Sequence, residues 1–349
     1  MVASAQTTSR VGLATRVFHP AANRNWRGAE RKELHCVIWY PAVNSAIETP
    51  QFMGPPDKPL FETGSAMPHA EFAPTLAKLP LIVLSHGTGG SAQQMAWLGT
   101  ALARAGFIAA AVDHPGNNGT EHYTAEGFVL WWERATDLSE VIDGLLADAD
   151  IGPHIDPARI GAAGFSIGGY TVMELAGART DVGALYDMCR QHPDTPTCHV
   201  PEMRDFGSPA EMLQSVRKSS AESLARSADS FRDTRVAAVF AIAPAVSETQ
   251  TADSLHAIRI PVEIAVGAAD PIAPAGNNAD WLRSNIRGAR ETVLPGLTHY
   301  TFLDTCTAAG KEKLPVYCAD SPGIDRDAVH AQVSALAVTF FKRALRIGK

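Results

Sequence analysis

The sequence predicts an α/β protein built on a mostly parallel sheet with helices on both faces. Three observations carry this. Apolar, β-branched runs alternate with helix-patterned stretches along most of the chain. Several of those runs end in small or polar residues, as strands of a parallel sheet do at their functional edge. The third is Gly164-Phe165-Ser166-Ile167-Gly168-Gly169, which follows the apolar run Ile160–Ala163 and precedes a helical stretch, Tyr170–Ala176.

Taken in order, Val11–Phe18 and Lys32–Tyr40 read as two antiparallel strands joined by the polar segment His19–Arg31. Pro41–Pro74 is rich in Pro and Gly and is expected to cross the surface without regular structure. The parallel core is expected at Leu79–Leu84, Phe107–Val112, Arg159–Gly164, Val236–Ala243, Val262–Val266 and Glu291–Leu294. Helices are expected at Ala92–Arg104, Arg134–Ala149, Ile167–Ala176, Ala279–Ile286 and Asp325–Leu345. About 55 residues, Thr180–Arg235, separate the helix after Ser166 from the next strand, far more than a helix–strand connection needs. Ser208-Pro209-Ala210-Glu211 in this stretch has the capping-box form, and Leu213, Val216, Leu224 and Ala228 follow at helical spacing. Residues 180–235 are therefore expected to form a cap over the site, inserted in a single domain spanning 11–349.

Composition narrows the function. With 349 residues, 46% hydrophobic and 19% charged, the chain can bury a large core. Its formal net charge of −7 argues against a nucleic-acid partner. No apolar run is long enough to span a bilayer, and the opening Met1–Arg10 lacks the apolar stretch of a signal peptide. Of the five cysteines, Cys36 reads as a buried small hydrophobe inside a strand. Cys189/Cys198 and Cys306/Cys318 form two local pairs, each bracketing a Pro- or Gly-containing loop. Two disulfides there imply a periplasmic or secreted protein, whereas five reduced thiols imply a cytoplasmic one.

The chemistry is carried by three strand ends. In a G-x-S-x-G turn between strand and helix, the serine hydroxyl is exposed and its flanking glycines prevent collisions. A serine needs a base within hydrogen-bond reach, and the base needs an orienting acid. Val262-Glu263-Ile264-Ala265-Val266 leads to Asp270, and Thr292-Val293-Leu294 leads to His299. Ser166, Asp270 and His299 thus follow the order serine, acid, histidine. Ser85-His86-Gly87-Thr88-Gly89-Gly90 supplies a glycine loop whose amides face a developing oxyanion, with Thr88 as one donor and the amide of Ile167 as the other. It lacks the pattern of a phosphate-binding loop. His86 is read as shaping this loop, and His114 as a pocket residue or a turn residue. Trp131 and Trp132 precede a helix, and at most one of the two faces the pocket. Phe165 and Tyr170 read as packing residues. Asp113 and His330 are the alternative acid and base. No metal or organic cofactor is called for, and no zinc-ligand spacing is present.

These residues resemble the bacterial proteins known as predicted dienelactone hydrolases, relatives of the platelet-activating-factor acetylhydrolases in the α/β-hydrolase superfamily. The likeness runs from about Val11 to Leu345. It is carried by Ile38-Trp39-Tyr40-Pro41, Leu84-Ser85-His86-Gly87, Val112-Asp113-His114-Pro115-Gly116-Asn117, Gly164 through Tyr170, and His299 followed by Phe302. It implies a serine esterase with Ser166, Asp270 and His299 as its triad, and His86, His114, Trp131 and Phe302 are expected near the substrate. Dienelactone hydrolases use a cysteine where this chain has Ser166. The acetylhydrolases place their acid one strand earlier, where this chain reads Ala243-Pro244-Ala245-Val246. The expected activity is carboxylic-ester hydrolysis of a small molecule. Lactone or amide hydrolysis and acyl transfer use the same triad, and a noncatalytic binding protein on the same scaffold is the alternative from another class.

Overall fold

A computed structural model describes residues 9–20, 24–74 and 77–347. Residues 1–8, most of the polar opening read above, lie outside the described residues, as do residues 21–23, 75–76 and 348–349 of the 11–349 span. In chain order the elements are β1 (Arg10–Phe18), β2 (Leu34–Ala42), β3 (Thr49–Met53), β4 (Phe61–Pro68), β5 (Leu79–Ser85), α1 (Ala96–Arg104), β6 (Ile108–Val112), α2 (Ala125–Val129), α3 (Glu133–Ala147), β7 (Ile155–Phe165), α4 (Ile167–Ala176), α5 (Val182–Gln191), α6 (Pro209–Val216), α7 (Ala221–Ala225), β8 (Val236–Ile242), α8 (Ala252–Ala257), β9 (Val262–Gly267), α9 (Ala279–Asn285), β10 (Arg290–Leu294), β11 (Thr305–Cys306), α10 (Ala308–Lys313), α11 (Pro315–Cys318) and α12 (Arg326–Ala344).

One sheet runs in the order β10-β9-β8-β7-β5-β6-β2-β1-β4-β11, with β3 on β4. The stretch from β10 to β6 is parallel, and β2 and β1 add antiparallel strands. Alternation along the strands sorts the core into two layers. Leu81, Val83, Ala162 and Ala241 pack under α3, α4 and α9. Ile82, Leu84, Ala163 and Phe240 face α1 and α12 on the other side. The central strands are buried on both faces, which is why they read as continuous apolar runs.

Pro41–Pro74 departs from expectation: it contains the antiparallel pair β3 and β4 rather than irregular chain alone. β4 also pairs with β1 and with β11, and it buries Phe61, Thr63 and Ala66. Pro50 sits in β3, which pairs only with β4, and an edge position tolerates proline's missing donor. In the long insertion the capping box forms: Ser208 Oγ accepts from Glu211 N at 3.3 Å, and Glu211 Oε2 accepts from Ser208 N at 2.8 Å. The helical pattern beyond it is divided between two short helices, α6 and α7, and Ala228 falls past the end of α7, exposed in a turn. Disulfides join Cys189 to Cys198 and Cys306 to Cys318, and Cys36 is a buried free thiol.

Glu174 on α4 is fully buried. Burial raises its carboxyl to about 8, while Gln250 Nε2 and Thr180 Oγ1 donate to Oε1, each at 3.0 Å. Its other oxygen, Oε2, has no partner among the described residues. A folded pKa above the unfolded one means that the folded chain keeps a proton the unfolded chain releases. Stability from this group is therefore lost as pH rises from the unfolded carboxyl range toward 8. Glu174→Gln keeps the shape of the neutral acid and is expected to flatten this slope, raising the urea midpoint at pH 8 over wild type with little change at pH 4. Parallel urea titrations across that range check it.

Candidate active site

The turn after β7 is forced by close packing. A Cβ at Gly164 would lie 2.1 Å from the Gly168 carbonyl oxygen, and one at Gly168 would lie 2.0 Å from that of Ser85. Between them Ser166 adopts φ 57° and ψ −122°, a strained conformation for a residue with a side chain. Backbone bonds hold it there: Ser166 N donates to Ile242 O at 2.9 Å, and Ser166 O accepts from Gly169 N at 2.8 Å and Ala245 N at 3.1 Å. The side chain is thereby turned into a cavity of about 640 Å³.

The structure brings Ser166, His299 and Asp270 together. Asp270 sits in the turn after β9, where its Oδ1 accepts from Ile272 N at 2.9 Å and Ala273 N at 2.8 Å. Those two bonds leave Oδ2 aimed at His299 Nδ1, 2.7 Å away. His299 follows β10 and places Nε2 2.8 Å from Ser166 Oγ. All three side chains are buried, with Ser166 and His299 on the cavity wall. With Nδ1 donating to Asp270, Nε2 is left to accept from the serine hydroxyl.

Ile167 is the first residue of α4, where a helix leaves its N–H groups unbonded, and with Thr88 it lines the cavity beside Ser166. The neighbouring Gly89 amide donates to Asn117 Oδ1 at 3.0 Å, so it is already engaged.

Two histidines expected near the substrate lie beneath the site instead. His86 and His114 are fully buried and neither lines the cavity. His86 Nδ1 bonds the Gly87 carbonyl at 2.7 Å and its Nε2 accepts from His114 N at 3.2 Å, which shapes the glycine loop from below. His114 bridges Ser85 Oγ at 2.9 Å and Asp137 Oδ2 at 2.6 Å. This Ser85-His114-Asp137 chain has the outline of a triad, but none of its members is exposed to solvent or to the cavity. Phe302 is likewise buried, packed on Phe165 rather than lining the cavity. Trp131 does line the cavity, while Trp132 turns away and donates to Ser223 Oγ at 3.0 Å. Asp113 caps the turn into α1 by accepting from Ala92 N at 2.6 Å, and His330 bonds Leu303 O at 3.0 Å while stacking on Trp97.

Charges under the loop were not anticipated. Asp137 on α3 accepts from Arg24, from Arg27 Nη2 at 2.6 Å and from His114. Burial alone would raise its carboxyl, but Arg27 and Arg24 hold it well below the usual carboxylate range. Burial, helped by Arg134, drives His114 down to about 3, so it is neutral. Arg134 reaches the His86 carbonyl, Ser85 Oγ at 3.3 Å and Asn117 Oδ1 at 3.2 Å, linking this cluster to the glycine loop. Burial lowers the guanidinium to about 9. Charged residues on an amphipathic helix read as a solvated face, and only the fold shows that these are inside.

Among the described residues no group of three or more His, Cys, Asp or Glu is placed to hold a metal ion, and no helix is long and apolar enough to cross a membrane.

The model of the alpha/beta hydrolase family matches residues 82–309, from β5 through the proposed triad. The chain belongs to the alpha/beta hydrolase family. Lipase 1 of Moraxella sp. (strain TA144) is 39% identical over 59 residues, 17% of this chain and 18% of that protein. Cutinase est1 of Thermobifida alba is 31% identical over 113 residues, 32% of this chain and 35% of the cutinase. The chain thus aligns with about a third or less of these curated relatives. The ferulic acid esterase from Streptomyces cinnamoneus superposes with a TM-score of 0.64 at 19% identity, covering 98% of this chain and 92% of that one. At this identity the likeness is one of fold.

Proposed function

We propose that this α/β-hydrolase cleaves carboxylic esters through an acyl-enzyme on Ser166. The observation that carries the reading is the unbroken hydrogen-bond path from Asp270 through His299 to a serine on the wall of a large cavity. The names of its relatives, lipase, cutinase and ferulic acid esterase, are those of ester hydrolases and support it.

Ser166 Oγ attacks the ester carbonyl as His299 Nε2 takes its proton, and Asp270 holds the imidazole and stabilises its cationic form. The amides of Ile167 and Thr88 receive the oxyanion, each donor contributing roughly 3 kcal/mol to the transition state. His299 then protonates the leaving alcohol. In the second half-reaction it takes a proton from water, whose oxygen attacks the acyl carbon and releases the acid and free Ser166.

Residues 180–235 act as a cap in this reading, since Leu185, Tyr186, Val200, Met203 and Met212 all line the cavity. Trp131 and Leu185 pack with Ile167 and Val246 in one apolar cluster, and this wall suits the acyl chain. The two disulfides support an exported protein. In a series of p-nitrophenyl esters from acetate to palmitate, the rate is expected to peak at an intermediate chain and fall for palmitate. Hydrolysis of none of them, measured as p-nitrophenol release, overturns the reading.

A further inference from the structure

The cavity holds a carboxylate that the mechanism above does not use. Glu202 lies in the short turn Pro201–Met203 of the insertion and is half-buried in the cavity wall. A Cβ built on Gly89 would stand 3.3 Å from Glu202 Cγ, so the side chain lies against the glycine loop. Its carboxylate accepts from Tyr300 Oη at 3.3 Å and 3.4 Å, and Tyr300 adjoins His299. The charge of Glu202 also acts on Tyr123 and Tyr317, both on the same cavity wall. Tyr300 and Tyr317 meet edge to face with centroids 4.9 Å apart.

Glu202 makes no ion pair with a Lys or Arg among the described residues; Arg204 and Asp205, both exposed, also line the cavity, and the charge of Arg204 acts on Tyr317 without pairing with Glu202. A carboxylate withdrawn from water without a cation is costly, and the long bonds from Tyr300 compensate little of that cost. Burial accordingly raises its pKa, although its own backbone N–H, then His299 and Tyr300, oppose the shift. A cation delivered by a ligand would supply what the protein does not, and tyrosine rings around it would receive the ligand's alkyl groups. The site's chemistry points to which part of the ligand that is. The leaving oxygen must face His299 Nε2 to be protonated, and Glu202 is tied through Tyr300 to the residue next to that histidine, while Trp131, Leu185 and Val246 belong to a separate apolar cluster with Ile167.

We propose that Glu202, with Tyr123, Tyr300 and Tyr317, forms a subsite for a protonated amine on the alcohol portion of the ester, so that the enzyme prefers cationic esters to uncharged esters of the same shape. This rests on the esterase reading and adds the substrate's charge to it.

The test compares 2-(dimethylamino)ethyl butyrate with its uncharged isostere 3-methylbutyl butyrate at pH 7.5. Wild type is expected to favour the amine about tenfold in kcat/KM, the size of one hydrogen bond to a charged group. Glu202→Gln is expected to bring the ratio close to one, whatever it does to the absolute rates, and higher salt should shrink the wild-type ratio. Both esters are also titrated into Ser166→Ala protein by calorimetry, which reads the subsite without turnover. If p-nitrophenyl butyrate is not hydrolysed yet the amine still binds more tightly than its isostere, the esterase reading fails and the subsite stands. Equal binding of the two esters overturns the subsite. So does an amine preference that survives Glu202→Gln, or tighter binding of the neutral polyol ester monobutyrin than of the amine.

Discussion

Ser166→Ala is expected to lose at least about 10⁴-fold in kcat/KM toward p-nitrophenyl butyrate while keeping its fold. Without Oγ no acyl-enzyme forms, and His299 loses the hydroxyl it holds at 2.8 Å. The residual rate would come from the oxyanion donors and from binding, which act on a water attack as well. The substitution removes only one oxygen from a residue whose conformation is set by backbone bonds to Ile242, Gly169 and Ala245, so the melting temperature should change little. An enzyme that retains near wild-type kcat/KM would place the nucleophile elsewhere.

The largest stability effect is expected at a residue that touches no substrate. Asp137→Ala leaves the fully buried Arg27 without its carboxylate and strips His114 of the acceptor that orients it. Breaking a buried pair by removing one partner costs about 3–5 kcal/mol, because the other charge stays uncompensated. Against a usual total of about 5–15 kcal/mol this is a large fraction. The loss should appear as a lower urea midpoint with little change in slope, since the surface exposed on unfolding is nearly the same. Asp137→Asn keeps the volume and an oxygen for His114, and it should fall between the two. The cluster also supports Ser85 and, through Arg134, the His86 carbonyl and Asn117, so the folded fraction of Asp137→Ala should turn over more slowly. A midpoint within error of wild type would mean that Arg27 is not held by Asp137.

How strongly local sequence marks these residues follows from their chemistry. Ser166 and Asp270 stand just past apolar strands, and His299 follows the partly exposed edge strand β10, positions that local sequence marks because the strand pattern stops there. The hairpin of β3 and β4 was hidden by its Pro and Gly and by its dependence on β1 and β11 for partners, which no local window contains. His86, read as shaping the glycine loop, does so, but neither it nor His114 lines the cavity where a substrate contact was also expected. The fold turns His114 downward onto Asp137, a residue 23 positions beyond it whose burial α3 alone does not disclose, and seats His86 between the Gly87 carbonyl and the His114 amide. Glu202 carried no signal either. It lies in a short turn of the insertion, and only the approach of Tyr300 and Gly89 gives it an environment.

The most direct test of the central claim is intact-protein and peptide mass spectrometry after brief exposure to p-nitrophenyl butyrate and acid quench. The account predicts one butyryl group on the peptide containing Ser166, absent from Ser166→Ala protein. Hydrolysis at wild-type rate with no acyl group on that peptide, or an acyl group on a different residue, would contradict it.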